Sequence, residues 1–212
     1  MEQDDMARPP LPSPIQATDE PPLSNELLTP EEAVALVAAS SGRAPTGLRN
    51  RALVAVMYRS VLRPGEALAL HPGDVDLASG TIVVPPRKGG QPRLTGVDET
   101  TREMIRSWLA RRAERGIGHD RPLFCTLAGE PLKAAYVREL LPRLARRAEI
   151  GKRVHPLALR YANAAELAEE GMPASMIDRH LGVAPVGGAR RYRRTVSDDD
   201  VAAAVAGRTW RI

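Results

Sequence analysis

Apolar positions take up a helical rhythm at Leu28, where Ala33, Leu36 and Val37 recur at helical spacing behind Thr29-Pro30-Glu31-Glu32. This predicts a helix with Thr29 as N-cap, Pro30 at the first helical position and Glu32 closing a capping box. A second run, about Leu48 to Ser60, turns Leu53, Val56 and Met57 inward, and a third helix starts near Pro64-Gly65-Glu66. The period then changes. Gly80 to Pro85 and Gln91 to Thr95 read as short strands around Arg87-Lys88-Gly89-Gly90, after a turn in the stretch HPGDVDLASG. Pro85, Pro86 and Pro92 are expected to confine these strands to sheet edges, because proline donates no ladder hydrogen bond. Helical spacing returns in four segments: Asp98 to Arg115, Lys133 to Glu149, Leu157 to Glu170 and Ser175 to Leu181. Gly151, Gly171 and Gly182 stand at the expected stops. Ser197 followed by Asp198, Asp199 and Asp200 opens a last short helix, with a cap and an acidic first turn. The pattern predicts a mainly helical α+β domain carrying a small antiparallel sheet, without internal repeats.

Residues 1–25 hold six prolines and no apolar period, so they are expected to be a disordered, acidic and Pro-rich tail. The organisation then reads as this tail, one folded domain over 26–195, and a C-terminal helix and tail over 196–212. A length of 212 residues suits a single domain. There is no long apolar run and no signal-peptide pattern, so no membrane association is expected. Cys125 is the single cysteine, which rules out an internal disulfide and makes a cytoplasmic setting the expectation.

Charge sharpens the picture. The net charge is +4, but residues 1–25 carry one arginine against five acidic residues, leaving the rest at +8. Such an excess suits a polyanionic partner, although an Ala- and Arg-biased composition would also produce it. Lysine usage is more selective: only Lys88, Lys133 and Lys152 are lysines among thirty basic residues. A lysine at a hairpin tip stands out in such a chain, and unlike arginine it can release a proton.

Arg63, Lys88, Arg160 and Tyr192 form the candidate catalytic set. A phosphodiester attacked by a phenol gains charge on its non-bridging oxygens, so the reaction needs fixed cations, a nucleophile and a proton donor. Arg63 precedes a helix N-terminus, which favours anions, and Glu66 lies one turn on, placed to orient it. Each residue also has a plainer reading. Arg63 can be a surface arginine in a turn, Lys88 a solvated hairpin lysine, and Tyr192 part of a basic tail with Arg190, Arg191, Arg193 and Arg194.

Order and spacing favour the chemical reading. A Leu-Arg-x-x-Glu turn, a Lys-Gly hairpin, the stretch His155 to Tyr161, His180-Leu181-Gly182 and a terminal tyrosine follow one another in sequence. With these motifs, the stretch from about Leu28 to Arg194 resembles the catalytic domain of the tyrosine recombinase (phage integrase) family. The resemblance implies the DNA breaking-rejoining fold and attack by Tyr192 to give a 3′-phosphotyrosyl bond. Arg63 and Arg160 would clamp the phosphate, and Lys88 would protonate the 5′-oxygen. It implies no cofactor and no metal, in keeping with the lack of a zinc-spaced His/Cys cluster or a phosphate-binding Gly-Lys loop. Double-stranded DNA is the implied partner, with Arg87, Arg93, Lys152, Arg153, Arg190, Arg191, Arg193 and Arg194 as backbone contacts. The C-terminal helix is expected to serve assembly, with a second copy or a full-length recombinase.

Two departures accompany the match. The family reads Pro-His-x-Leu-Arg-His before and around its second arginine, and Leu157 stands where the first of those histidines belongs. Its Leu-Leu-Gly-His motif, with His or Trp last, ends here in Val183, nine residues before Tyr192. His180 and His155 are the available imidazoles, with His180 the better surrogate because it shares a helical face with position 183. Both can equally be ordinary polar histidines. Family members usually carry an N-terminal core-binding domain that closes a clamp on DNA, and only a short tail precedes the domain here. Binding is therefore expected to be weak and salt-sensitive. Three readings fit the sequence: an impaired recombinase, a catalytically inactive DNA-binding or recombinase-partner protein, and a helical interaction protein.

Overall fold

The computed structural model describes residues 27–86, 92–182 and 197–210. Eight helices and three short strands occur among them: α1 Pro30–Ala38, α2 Pro45–Arg59, α3 Pro64–Ala69, β1 Val75–Asp76, β2 Thr81–Val84, β3 Arg93–Gly96, α4 Glu99–Glu114, α5 Ala134–Arg147, α6 Pro156–Glu169, α7 Ala174–His180 and α8 Asp198–Ala206. The mainly helical α+β class with a small antiparallel sheet is borne out.

Local chemistry sets the helix starts. At α1 the Thr29 hydroxyl accepts from the Glu32 N–H at 3.2 Å while the Glu32 carboxylate accepts from the Thr29 N–H at 2.8 Å, with Pro30 at the first position. Ser197 and Asp200 make the same reciprocal pair at α8. Asp98 caps α4 by accepting from the Thr101 N–H at 2.9 Å. Helix stops follow expectation less evenly. Gly171 and Gly182 are left-handed, with φ of 83° and 63°, but after α5 the left-handed residue is Glu149 at 55° rather than Gly151.

The sheet corrects one expectation. Its order is β1-β2-β3, with Ile82 paired to Val75 on one side and to Thr95 on the other, so β2 is central. Pro85, Pro86 and Pro92 fall just outside the paired residues, so no ladder donor is missing. β1 is two residues long, too short to show an alternating pattern.

Helix α2 runs through the centre, and every residue from Ala52 to Arg59 is fully buried. Such a helix needs a partner for each polar group it carries inward. Arg59 meets Asp98 of α4 at 2.7 Å and Glu166 of α6 at 2.8 Å, and the Tyr58 hydroxyl donates to Glu166 at 2.8 Å. Arg208, beyond α8, reaches Glu166 at 3.0 Å and Glu170 at 2.7 Å, while the Arg59 guanidinium lies 5.3 Å from the Trp210 ring. Helix α8 lies against β3 at Gly96. A Cβ there would sit 2.2 Å from the Ala202 carbonyl oxygen, so the close approach requires glycine.

Candidate active site

Arg63 is the N-cap of α3, in extended conformation. Glu66, one turn on, takes the Arg63 backbone N–H on Oε2 at 2.8 Å and its guanidinium on Oε1 at 3.2 Å. The same Oε2 accepts from Arg93 of β3 at 3.2 Å. Glu66 is buried, and desolvation alone would raise its pKa. The Arg63 N–H and the guanidinium groups of Arg93, Arg63 and Arg160 outweigh that and hold it below the ordinary carboxylate value. One carboxylate thus gathers three arginines that lie far apart in the chain.

Arg160 reaches this cluster from α6. Its guanidinium donates to the Val61 carbonyl and, at 2.6 Å, to the Leu181 carbonyl. Burial first, and then the neighbouring Arg63, push its pKa down to about 10, so it stays charged at neutral pH. Val61 adopts φ of 48°, a left-handed conformation that is unusual for a β-branched side chain, two residues before Arg63. The peptide turn that presents Arg63 therefore also supplies an anchor for Arg160.

The two histidines occupy other posts. His180 is buried at the end of α7, with Nε2 at 3.2 Å from the Arg59 carbonyl and Nδ1 at 3.1 Å from the Thr95 hydroxyl. A carbonyl can only accept, so Nε2 carries the proton and Nδ1 takes the hydroxyl hydrogen. Burial is the main cause pushing its pKa down to about 3. A neutral ring with both nitrogens engaged in this way has no free lone pair to act as a base. His180 occupies the first leucine position of the Leu-Leu-Gly-His motif, a place that turns inward. His155 caps α6, its Nδ1 accepting from the Ala158 N–H at 3.3 Å, and burial with the nearby Arg153 lowers its pKa. Leu157, by contrast, is 45% exposed on the first turn of α6.

Arg153 is exposed just ahead of His155. Lys152 is committed elsewhere: its ammonium donates to the Leu27 carbonyl at 2.7 Å and to Glu32 at 2.6 Å, tying the start of the fold to the α5–α6 turn. Lys88, Arg87, Val183, Arg190, Arg191, Tyr192, Arg193 and Arg194 lie outside the described residues. The sequence reading missed Glu66 as a hub for three arginines. It treated Arg93 as a surface contact because nothing in the local pattern marks it as facing Glu66.

The phage integrase family model matches residues 26–198. The chain belongs to the phage integrase family. Within that family it is similar to the tyrosine recombinase XerD of Ralstonia nicotianae, 32% identical over 180 residues that make up 84% of this chain and 58% of the relative. It is also similar to XerC of Xylella fastidiosa strain 9a5c, 34% identical over 76% of this chain and 53% of the relative. The chain therefore spans little more than half the length of these curated relatives. Among solved structures, the XerA recombinase matches with a TM-score of 0.68 and 27% identity over 76% of this chain and 57% of that one. The XerH recombinase, in a pre-cleavage complex with its difH substrate, matches in fold with a TM-score of 0.66 and 24% identity, over 81% of this chain and 51% of that one. Among the described residues no helix is long and apolar enough to cross a membrane.

Proposed function

We propose that this chain binds double-stranded DNA and acts in site-specific recombination, cleaving and rejoining a strand through a 3′-phosphotyrosine at Tyr192. One observation carries the reading: Arg63 and Arg160, ninety-seven positions apart, are both drawn to the surroundings of Glu66. Two fixed guanidinium groups beside a helix N-terminus are suited to the non-bridging oxygens of a phosphate. Tyr192 then supplies the attacking phenol oxygen, its hydroxyl proton passing to solvent water as the new O–P bond forms. The 5′-oxygen leaves with a proton from Lys88, and the reverse attack restores the phosphodiester, so bond energy is conserved without a cofactor. With Leu157 and Val183 at the imidazole positions, cleavage proceeds slowly; losing an acid-base group costs about 10²–10⁴-fold. Arg87, Arg153, Arg190, Arg191, Arg193 and Arg194 serve backbone contacts, and the protein works in the cytoplasm with a second copy or a full-length recombinase.

A second reading, binding without turnover, is favoured by one specific observation: both ring nitrogens of His180 are engaged in the core and His155 is a helix cap. The test is a pool of nicked duplexes with randomised cores, from which a cleaved strand cannot be religated. A denaturation-resistant protein–DNA adduct that disappears in Tyr192→Phe supports cleavage. Salt-sensitive binding with no adduct supports the second reading, and no binding at low salt overturns both.

A further inference from the structure

We propose that Arg93 is a positioning residue of the phosphate clamp, acting on Arg63 through Glu66 and taking no phosphate itself. The inference rests on the DNA-cleaving reading above and assigns Arg93 a task different from backbone contact. Three observations carry it. First, the Arg93 guanidinium spans two elements: Nη2 donates to Glu66 Oε2 of α3 at 3.2 Å, and Nη1 donates to the His180 carbonyl at the end of α7, also at 3.2 Å. Second, its stem lies along the turn that follows α7. At Gly182, with φ of 63°, an added Cβ would stand 3.3 Å from Arg93 Nε and 3.5 Å from its Cδ. Third, exposure separates the two partners of Glu66. The Arg63 side chain is 38% exposed and that of Arg93 only 17%, so Arg63 is the one turned toward an incoming phosphate.

The division of labour follows from the carboxylate. Glu66 Oε1 holds the Arg63 guanidinium, while Oε2 is shared by the Arg63 N–H and Arg93. With Arg93 in place, Glu66 is held from the strand side and cannot follow Arg63 outward, so the Arg63 fork keeps one orientation. Without it the carboxylate is free to rotate onto Arg63 or Arg160 and to compete with the phosphate for their donors. Arg93 opens β3, the strand that returns from the stretch carrying Lys88, so the same contact ties the strand to the clamp. Lysine would retain the charge but could not reach both acceptors with a fixed fork.

Four full-length proteins test this: wild type, Arg93→Gln, Glu66→Gln and the double variant, with Arg93→Lys as a folding control. Each is measured for adduct formation on the nicked-duplex pool and for affinity to a short random duplex across salt concentrations. The expected result is that Arg93→Gln slows adduct formation about tenfold or more while the slope of log affinity against log salt stays unchanged. In the Glu66→Gln background the same substitution should change the rate less than about twofold, because the route through the carboxylate is already lost. Arg93→Lys should fold normally and recover only part of the rate. A slope reduced by about one, as expected for Arg63→Gln, would make Arg93 a phosphate ligand and overturn the proposal. So would an unchanged rate in folded Arg93→Gln, or equal losses in both backgrounds. If wild type binds DNA but gives no adduct, cleavage fails as the function while duplex affinity still decides Arg93. A loss of affinity by Arg93→Gln confined to the Glu66 background, with the slope kept, supports positioning; equal losses in both backgrounds, or no loss, overturn it.

Discussion

His180 shows how burial converts a residue type associated with proton transfer into one that resists it. An unfolded chain protonates this imidazole near its ordinary value of 6.5, whereas the native pocket holds it neutral down to about 3. The contribution to stability is therefore whole above pH 6.5 and is lost progressively as pH falls toward 3. Urea unfolding from pH 7 to 5 should show a decline approaching about 1.4 kcal/mol per pH unit at the acidic end, and His180→Leu should flatten it. An equal slope in both proteins would place the titrating group elsewhere. Val61 gives a second residue-scale expectation. Its left-handed backbone costs about 1–3 kcal/mol for a residue with a side chain, so Val61→Gly should be more stable than Val61→Ala by about 1 kcal/mol, the reverse of the usual order. Thermal unfolding of the pair checks it. Arg63 and Glu66 were legible because helical spacing brings positions three apart together. The inward turn of His180 was not, because residue type says nothing about direction. Tyr161 was passed over for the same reason. It takes the place of the last histidine in the Pro-His-x-Leu-Arg-His pattern, and it stands beside Leu27, Ala165 and Ile177 along an apolar cleft.

At the scale of elements, local signals carried most of the fold. Capping boxes at Thr29 and Ser197, and proline at the first turn of α1, are written in a few adjacent residues, so their helices were readable. β1 was not, since two residues cannot display a period, and the central place of β2 depends on a partner the local sequence does not announce. The docking of α8 on β3 is likewise long-range, and Gly96 is its mark. Gly96→Ala would drive a methyl group against the Ala202 carbonyl, so α8 must move or the strand must bend. The expected cost is about 1–3 kcal/mol of unfolding free energy. Limited proteolysis should release the C-terminal segment first, and an unchanged digestion pattern and melting temperature would refute the tight contact.

For the whole molecule, the charges around Arg59 matter most. Asp98, Glu166 and Arg208 draw α2, α4, α6 and the segment after α8 to one buried centre. Removing one partner of a buried pair leaves a charge without compensation, so Asp98→Ala should cost about 3–5 kcal/mol, measured by denaturant unfolding. That loss includes the cap of α4, and Asp98→Asn, which can still cap, should separate the two contributions. Stability held this way is little affected by moderate salt, unlike the proposed grip on DNA, so the two should part company in a salt titration.

The bond from Arg160 to the Leu181 carbonyl has a mechanical meaning. Chain continuing toward Tyr192 sets out one residue later, at the left-handed Gly182. The peptide that closes α7 is thus also a rest for a side chain of α6, so a displacement of the α7 end is carried directly to the Arg160 guanidinium.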